Sequence, residues 1–109
     1  MNAFTKMLFD MLDRRICNLS PDVKREFKKL YIAYKLDTNF VDIVVQKQRL
    51  RISLNMKFSE IYDPKGICRD VTGLGRWGNG DVEVFFEHTS EIDDVMELIE
   101  QSYNKQVEE

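Results

Sequence analysis

The sequence is short of the residues that most often announce chemistry, export or membrane insertion. It has one histidine, two cysteines, two prolines and five glycines in 109 residues. A zinc site takes about four nitrogen, sulfur or oxygen ligands. His88 with the widely separated Cys17 and Cys68 falls short of that, so no metal is expected. The cysteines form no CxxC pair and read as reduced core thiols, as in a chain that stays in the cytoplasm. No run approaches the ~20 apolar residues of a membrane span. No basic-then-apolar leader with a small-residue cleavage site opens the chain, so neither a membrane nor export is expected.

What is present is a strongly charged chain with a workable core. Hydrophobic residues make up 43% of it, charged residues 32% and aromatics 11%. Its length fits a single domain over residues 1–109. The net charge of −3 conceals a split: residues 1–80 carry 15 Lys/Arg against 9 Asp/Glu, whereas residues 81–109 carry one Lys against 10 Asp/Glu. That asymmetry fits a basic surface backed by an acidic helix, and equally fits solvated faces that happen to differ.

Residues 2–17 predict a helix with a stripe of Phe4, Met7, Leu8, Met11, Leu12 and Ile16. Ser20-Pro21-Asp22 has the cap, first-turn proline and acid of a second, short helix that fades near Glu26 to Lys28. Three alternating runs then predict strands: Leu30 to Leu36, Phe40 to Lys47 and Arg49 to Met56, joined by short turns. Residues 57–80 are irregular, with one helical turn expected near Ile67 to Val71 and a tight turn at Asn79-Gly80. Asp81 to Glu87 is a further strand, and Ser90 caps a closing helix whose stripe is Ile92, Val95, Met96, Ile99 and Tyr103. Two amphipathic helices and an antiparallel meander predict an α+β two-layer sandwich. Its sheet has four or five strands, and the N- and C-terminal helices pack on one face.

If Leu30 and Leu50 face the helices, the opposite sheet face carries Tyr31, Ala33, Lys35, Phe40, Asp42, Val44, Gln46, Arg49, Arg51, Ser53, Asn55, Glu83, Phe85 and Glu87. Aromatic rings beside cations stack bases and hold phosphates in single-strand binders. The same mixture suits a docking or homodimer surface. A third reading has residues 57–80 fold over the face and make it a second core. Asp42, Glu83 and Glu87 weigh against phosphate.

Several motifs match only in letters. Gly73-x-Gly75-x-x-Gly78 has the spacing of a dinucleotide fingerprint, but that needs a strand before it and a helix after it. Glycine N–H groups with Lys65, Arg69 and Arg76 nearby suit an anion nest, while the same glycines suit a tight path around an anchoring Trp77. Pro21-Asp22 with Glu26-Phe27-Lys28 echoes metal-dependent nucleases, but the gap is too short for successive strands. Asp42, Asp81 and Glu83 suit a carboxylate cluster. His88, at a strand-to-helix turn, has no evident nucleophile or orienting acid. The chain is therefore expected to be non-enzymatic and to need no cofactor.

The segments Lys29-Leu30-Tyr31-Ile32-Ala33-Tyr34-Lys35, Asn39-Phe40-Val41-Asp42, Asp63-Pro64, Arg69-Asp70-Val71 and Gly75-Arg76-Trp77-Gly78-Asn79-Gly80-Asp81 occur in an order that resembles a prokaryotic family, domain of unknown function 5655, also labelled "predicted transport protein". The closing tryptophan segment, strand and Ser102-Tyr103 helix bear a fainter likeness to YjbR-like proteins, which have a two-layer α+β fold and a link to DNA. The resemblance implies an accessory role in nucleic-acid-processing or restriction-type systems, with nucleic acid or a nuclease-like protein as partner. The binding residues expected on this reading are Tyr31, Lys35, Phe40, Arg49, Arg51, Arg76, Trp77 and Asn79. Homodimerisation or protein docking through the same face is the alternative.

Overall fold

Asn2 opens the first helix. Its side-chain oxygen accepts from the Thr5 N–H at 2.8 Å and so satisfies one of the free donors of the first turn. In the computed structural model, which describes residues 1–74 and 80–108, this helix, α1, spans Ala3–Cys17. Its buried stripe is Thr5, Leu8, Phe9, Leu12 and Ile16, whereas Phe4 and Met7 are exposed. The stripe is thus rotated from the predicted one, because Phe9 rather than Met7 turns toward the sheet.

The expected second helix is a strand. The Ser20 hydroxyl accepts from Asp22 N–H at 3.0 Å, and the Ser20 carbonyl accepts from Val23 N–H, which closes a turn instead of capping a helix. The chain then enters β1 (Lys24–Phe27), paired antiparallel with β2 (Ile32–Lys35). The pairing gives Lys24–Phe27 a ladder along one side that outweighs the local helix-start signal. β3 (Asn39–Val45), β4 (Leu50–Leu54), β5 (Arg69–Asp70) and β6 (Val82–Phe86) complete the sheet. Among the described residues its order is β1-β2-β3-β4-β6-β5, and every pair of neighbours is antiparallel. The sheet has two more short edge strands than the alternation patterns reveal, and β5 replaces the helical turn expected near Ile67. After a 3₁₀ turn at Thr89–Glu91, the closing helix α2 runs Ile92–Val107. No helix among the described residues is long and apolar enough to cross a membrane.

Cross-strand register sorts the two faces. Ile32, Tyr34, Val41, Ile43, Leu50, Ile52, Leu54, Val82, Val84 and Phe86 line up across the sheet and are buried together with Leu8, Leu12, Val95, Met96 and Ile99 of the two helices. The two-layer α+β arrangement, with both helices on one side, follows from this.

Phe40 departs from the alternation. A register irregularity between Tyr34 and Lys35 lets Phe40 turn inward, where it is 0% exposed and meets Tyr103 edge-on at 5.4 Å. Its carbonyl accepts from the buried Ser102 hydroxyl at 2.6 Å. Ser102→Ala removes the shorter of two bonds to that carbonyl, which keeps the Asn55 N–H at 3.2 Å. The loss of that one buried bond is expected to cost about 1 kcal/mol in a urea titration, whereas an exposed substitution such as Asn104→Ala stays within about 0.5 kcal/mol.

Candidate functional site

The face of the sheet away from the helices is built from the residues that alternate with the core. One row runs Ala33, Asp42, Ser53, Glu83 and Arg69 across five strands. The next row runs Val44, Arg51 and Phe85. The segment after β4 does not roof this face over residues 57–68, because it is strapped along α2. Tyr62 exchanges two hydrogen bonds with the Gln101 side chain at 2.7 Å, Lys65 pairs with Asp94 at 2.9 Å, and Lys105 pairs with Glu60. The idea of a second core made by the whole of residues 57–80 therefore fails for its first half.

Glu83 is the organising group of this face, whose row of Ala33, Asp42, Ser53 and Glu83 is buried, whereas Val44, Arg51 and Phe85 are half-buried. Glu83 is 0% exposed, and each of its oxygens faces a guanidinium: Arg51 Nε at 3.8 Å and Arg69 Nη1 at 3.5 Å. Three adjacent strands thus place one carboxylate between two arginines. Asp42, 2% exposed, lies in the same row and accepts from Asn39 Nδ2 at 2.9 Å. Ser53 stands between the two acids. Arg49, at the β3–β4 turn, is held just as firmly. Its Nε donates to Gln46 Oε1 at 2.7 Å, Nη1 lies 3.3 Å from Glu87, and the guanidinium sits 3.7 Å over the Phe85 ring. Beyond Arg49 the face runs into an open groove of about 1000 Å³, bordered by Asn2, Phe4, Lys47 and His88.

The sequence-predicted residues meet these surroundings unequally. Arg49 and Arg51 share the face away from the helices, both already opposed by carboxylates. Lys35 is in β2 and pairs with Glu26 at 3.0 Å. Tyr31 is half-buried just before β2, its carbonyl accepting from Lys28 N–H. Phe40 is in the core and offers no stacking surface. Arg76, Trp77 and Asn79 lie outside the described residues. The anion nest loses two of its three cations, since Lys65 goes to Asp94 on α2 and Arg69 to Glu83. Glu83, Phe85 and Glu87 stood on the predicted face, but their pairing with Arg51, Arg69 and Arg49 needed the strand register. Among the described residues, no group of three or more His, Cys, Asp or Glu is placed to hold a metal ion.

The nucleophile candidates are muted. Burial, the adjacent Asp13 charge and its hydrogen bond push the Cys17 thiol up. Burial and Asp63 push Cys68 from an ordinary 9.0 to about 12. The Tyr34 hydroxyl, buried and donating to Asp13 Oδ1 at 2.6 Å, is raised as well. His88 and Glu87 give their backbone N–H groups to Glu91 at the start of the 3₁₀ turn. Groups raised on folding favour the protonated form in the native state, so their contribution is complete below the unfolded values and is lost as pH rises. The denaturation midpoint is accordingly expected to hold from pH 7 to 9 and to fall between pH 9 and 12. Cys68→Ala should make that fall shallower.

No solved structure matches the chain. An uncharacterised protein of Haemophilus influenzae (strain ATCC 51907 / DSM 11121 / KW20 / Rd) is 39% identical over 99 residues, which cover 91% of this chain and 33% of that protein. The chain thus spans about a third of the length of this curated relative. A family model described as Domain of unknown function (DUF5655) matches residues 2–106. That match bears out the resemblance read from the sequence, and the chain belongs to the DUF5655 family.

Proposed function

We propose that residues 1–109 form one non-enzymatic binding domain that works in the cytoplasm as an accessory module of a nucleic-acid-processing or restriction-type system. Its contact surface is the patch of Val44, Arg49, Arg51 and Phe85, half-buried side chains on the sheet face away from the helices, and its partner is a protein of that system rather than the nucleic acid itself. The observation that carries this reading is the charge matching of the face. Arg49 is opposed by Glu87, and Arg51 and Arg69 share Glu83. Phosphate binding draws on uncompensated cations and released counterions, whereas protein contact surfaces favour arginine and aromatic groups with little net charge. Phe85 under Arg49, with Val44 beside Arg51, has that composition. The match to one third of a longer relative accords with a module that operates beside other parts. Two unpaired cysteines accord with a reducing compartment, and thiols held protonated accord with a binding role.

Labelled single- and double-stranded oligonucleotides separate the two partner classes. The expected result is weak association with a shallow salt dependence that Arg49→Ala with Arg51→Ala leaves unchanged. Affinity that drops by about 10³ between roughly 50 and 200 mM salt, and that the double variant abolishes, would overturn the choice of a protein partner.

A further inference from the structure

A separate candidate surface lies at the β1 edge of the sheet and is independent of the reading above. β1 ends the sheet among the described residues, with β2 as its one neighbour. The Lys28 N–H to Tyr31 carbonyl bond at 2.9 Å sets the phase of that ladder. Lys24 and Glu26 direct their backbone groups to β2, so those of Arg25 and Phe27 point outward.

Side chains around this edge are both apolar and basic. Phe27 is 63% exposed and Leu30 51% exposed. Residues 14–35 hold seven Lys/Arg against two acids, Asp22 and Glu26. Arg25 is fixed by Asp13 at 2.8 Å and lies 5.0 Å over the Phe27 ring, which in turn packs against Phe9. Glu26 is engaged by Lys28 and Lys35. Lys24 and Lys29 are exposed beside them.

We propose that the β1 edge accepts an extended acidic polypeptide segment as an added strand. Its apolar residues would alternate onto Phe27 on the helix side, and its carboxylates would meet the lysines on the other side. An extended polypeptide supplies both donors and acceptors for the outward groups of Arg25 and Phe27; phosphates answer only the cations. Lysine on an edge also repels a like-charged edge, so the edge turns away a second copy of itself while attracting an acidic strand.

The test uses a fluorescein-labelled peptide alternating Glu and Val, a variant peptide with a central proline, and an oligonucleotide of similar charge, all at low salt. The alternating peptide is expected to bind and to shift the amide resonances of Arg25 and Phe27. The proline peptide should bind about tenfold more weakly or worse, since proline removes a ladder donor. Lys24→Glu with Lys29→Glu, checked for native circular dichroism, should cost a similar factor. The proposal is overturned by equal binding of the proline peptide, by shifts confined to other strands, by tighter binding of the oligonucleotide at the same edge, or by no binding of the alternating peptide.

Discussion

Replacing Gly80 by alanine is expected to cost about 3–5 kcal/mol, a large share of the roughly 5–15 kcal/mol that holds an ordinary domain folded. Two causes add. Gly80 has φ +99°, a conformation that costs a residue with a Cβ about 1–3 kcal/mol. A Cβ there would also stand 2.1 Å from the Leu54 carbonyl oxygen and 2.6 Å from Asn55 Cα, both backbone atoms that cannot swing aside. The close approach exists because Asp81 N–H bonds to the Met56 carbonyl, which draws the entry of β6 against the end of β4. Gly73 supplies the control. Its φ is +75°, but a Cβ there meets nothing within 4 Å. Gly73→Ala should therefore show the backbone cost alone, about 1–2 kcal/mol. Urea midpoints measure both, and equal losses at the two positions would contradict the steric argument.

Glu83→Ala is expected to cost about 3 kcal/mol, which is large for a residue on the face opposite the helices. Removing one partner of a buried ion pair leaves charge uncompensated, and this is more harmful than never having built the pair. Arg51 is mostly buried, and its Nε makes no hydrogen bond among the described residues, so Glu83 is its principal electrostatic counterweight. Arg69 is more exposed and loses less. Arg51→Met combined with Glu83→Leu should recover part of the loss, because a matched apolar pair avoids the desolvation of two charges. Recovery would mean that the arginine–glutamate grouping adds little stability, as expected if it serves contact. A double variant less stable than Glu83→Ala would instead make the grouping structural.

How much of this was legible in the sequence depended on how far apart the deciding residues lie. Leu50, Ile52 and Leu54 alternate without interruption, and their run reads as a strand with one buried face. α2 was equally plain from Val95, Met96 and Ile99. β1 was not, because Ser20-Pro21-Asp22 is a sound local helix start, and the strand exists through its pairing with β2. β5 has two residues and no pattern to read. Alternation places Phe40 on the outer face, but a one-residue irregularity reverses it, and alternation cannot register that. The site suffered most from this kind of blindness. Arg49, Arg51, Glu83 and Glu87 were all visible as charges, and the stretch holding Arg49 and Arg51 read as basic. Only the register of β4 against β6 shows that the acids of the final strand cancel those arginines. The charge split of the chain persists elsewhere, at β1, where Lys24 and Lys29 stand beside exposed Phe27 and Leu30.

The central claim, that the patch of Val44, Arg49, Arg51 and Phe85 is covered by a protein partner in the cell, is tested most directly by a thiol at Val44. That residue sits beside Arg51 on the face, away from the helices. In Val44→Cys the new thiol should react readily with a maleimide in the purified chain, in excess of the slow background from Cys17 and Cys68. In cells expressing the chain at its native level, labelling at that position is predicted to be strongly suppressed, and Arg49→Ala with Arg51→Ala should restore it. Equal labelling in cells and in the purified chain would contradict the account.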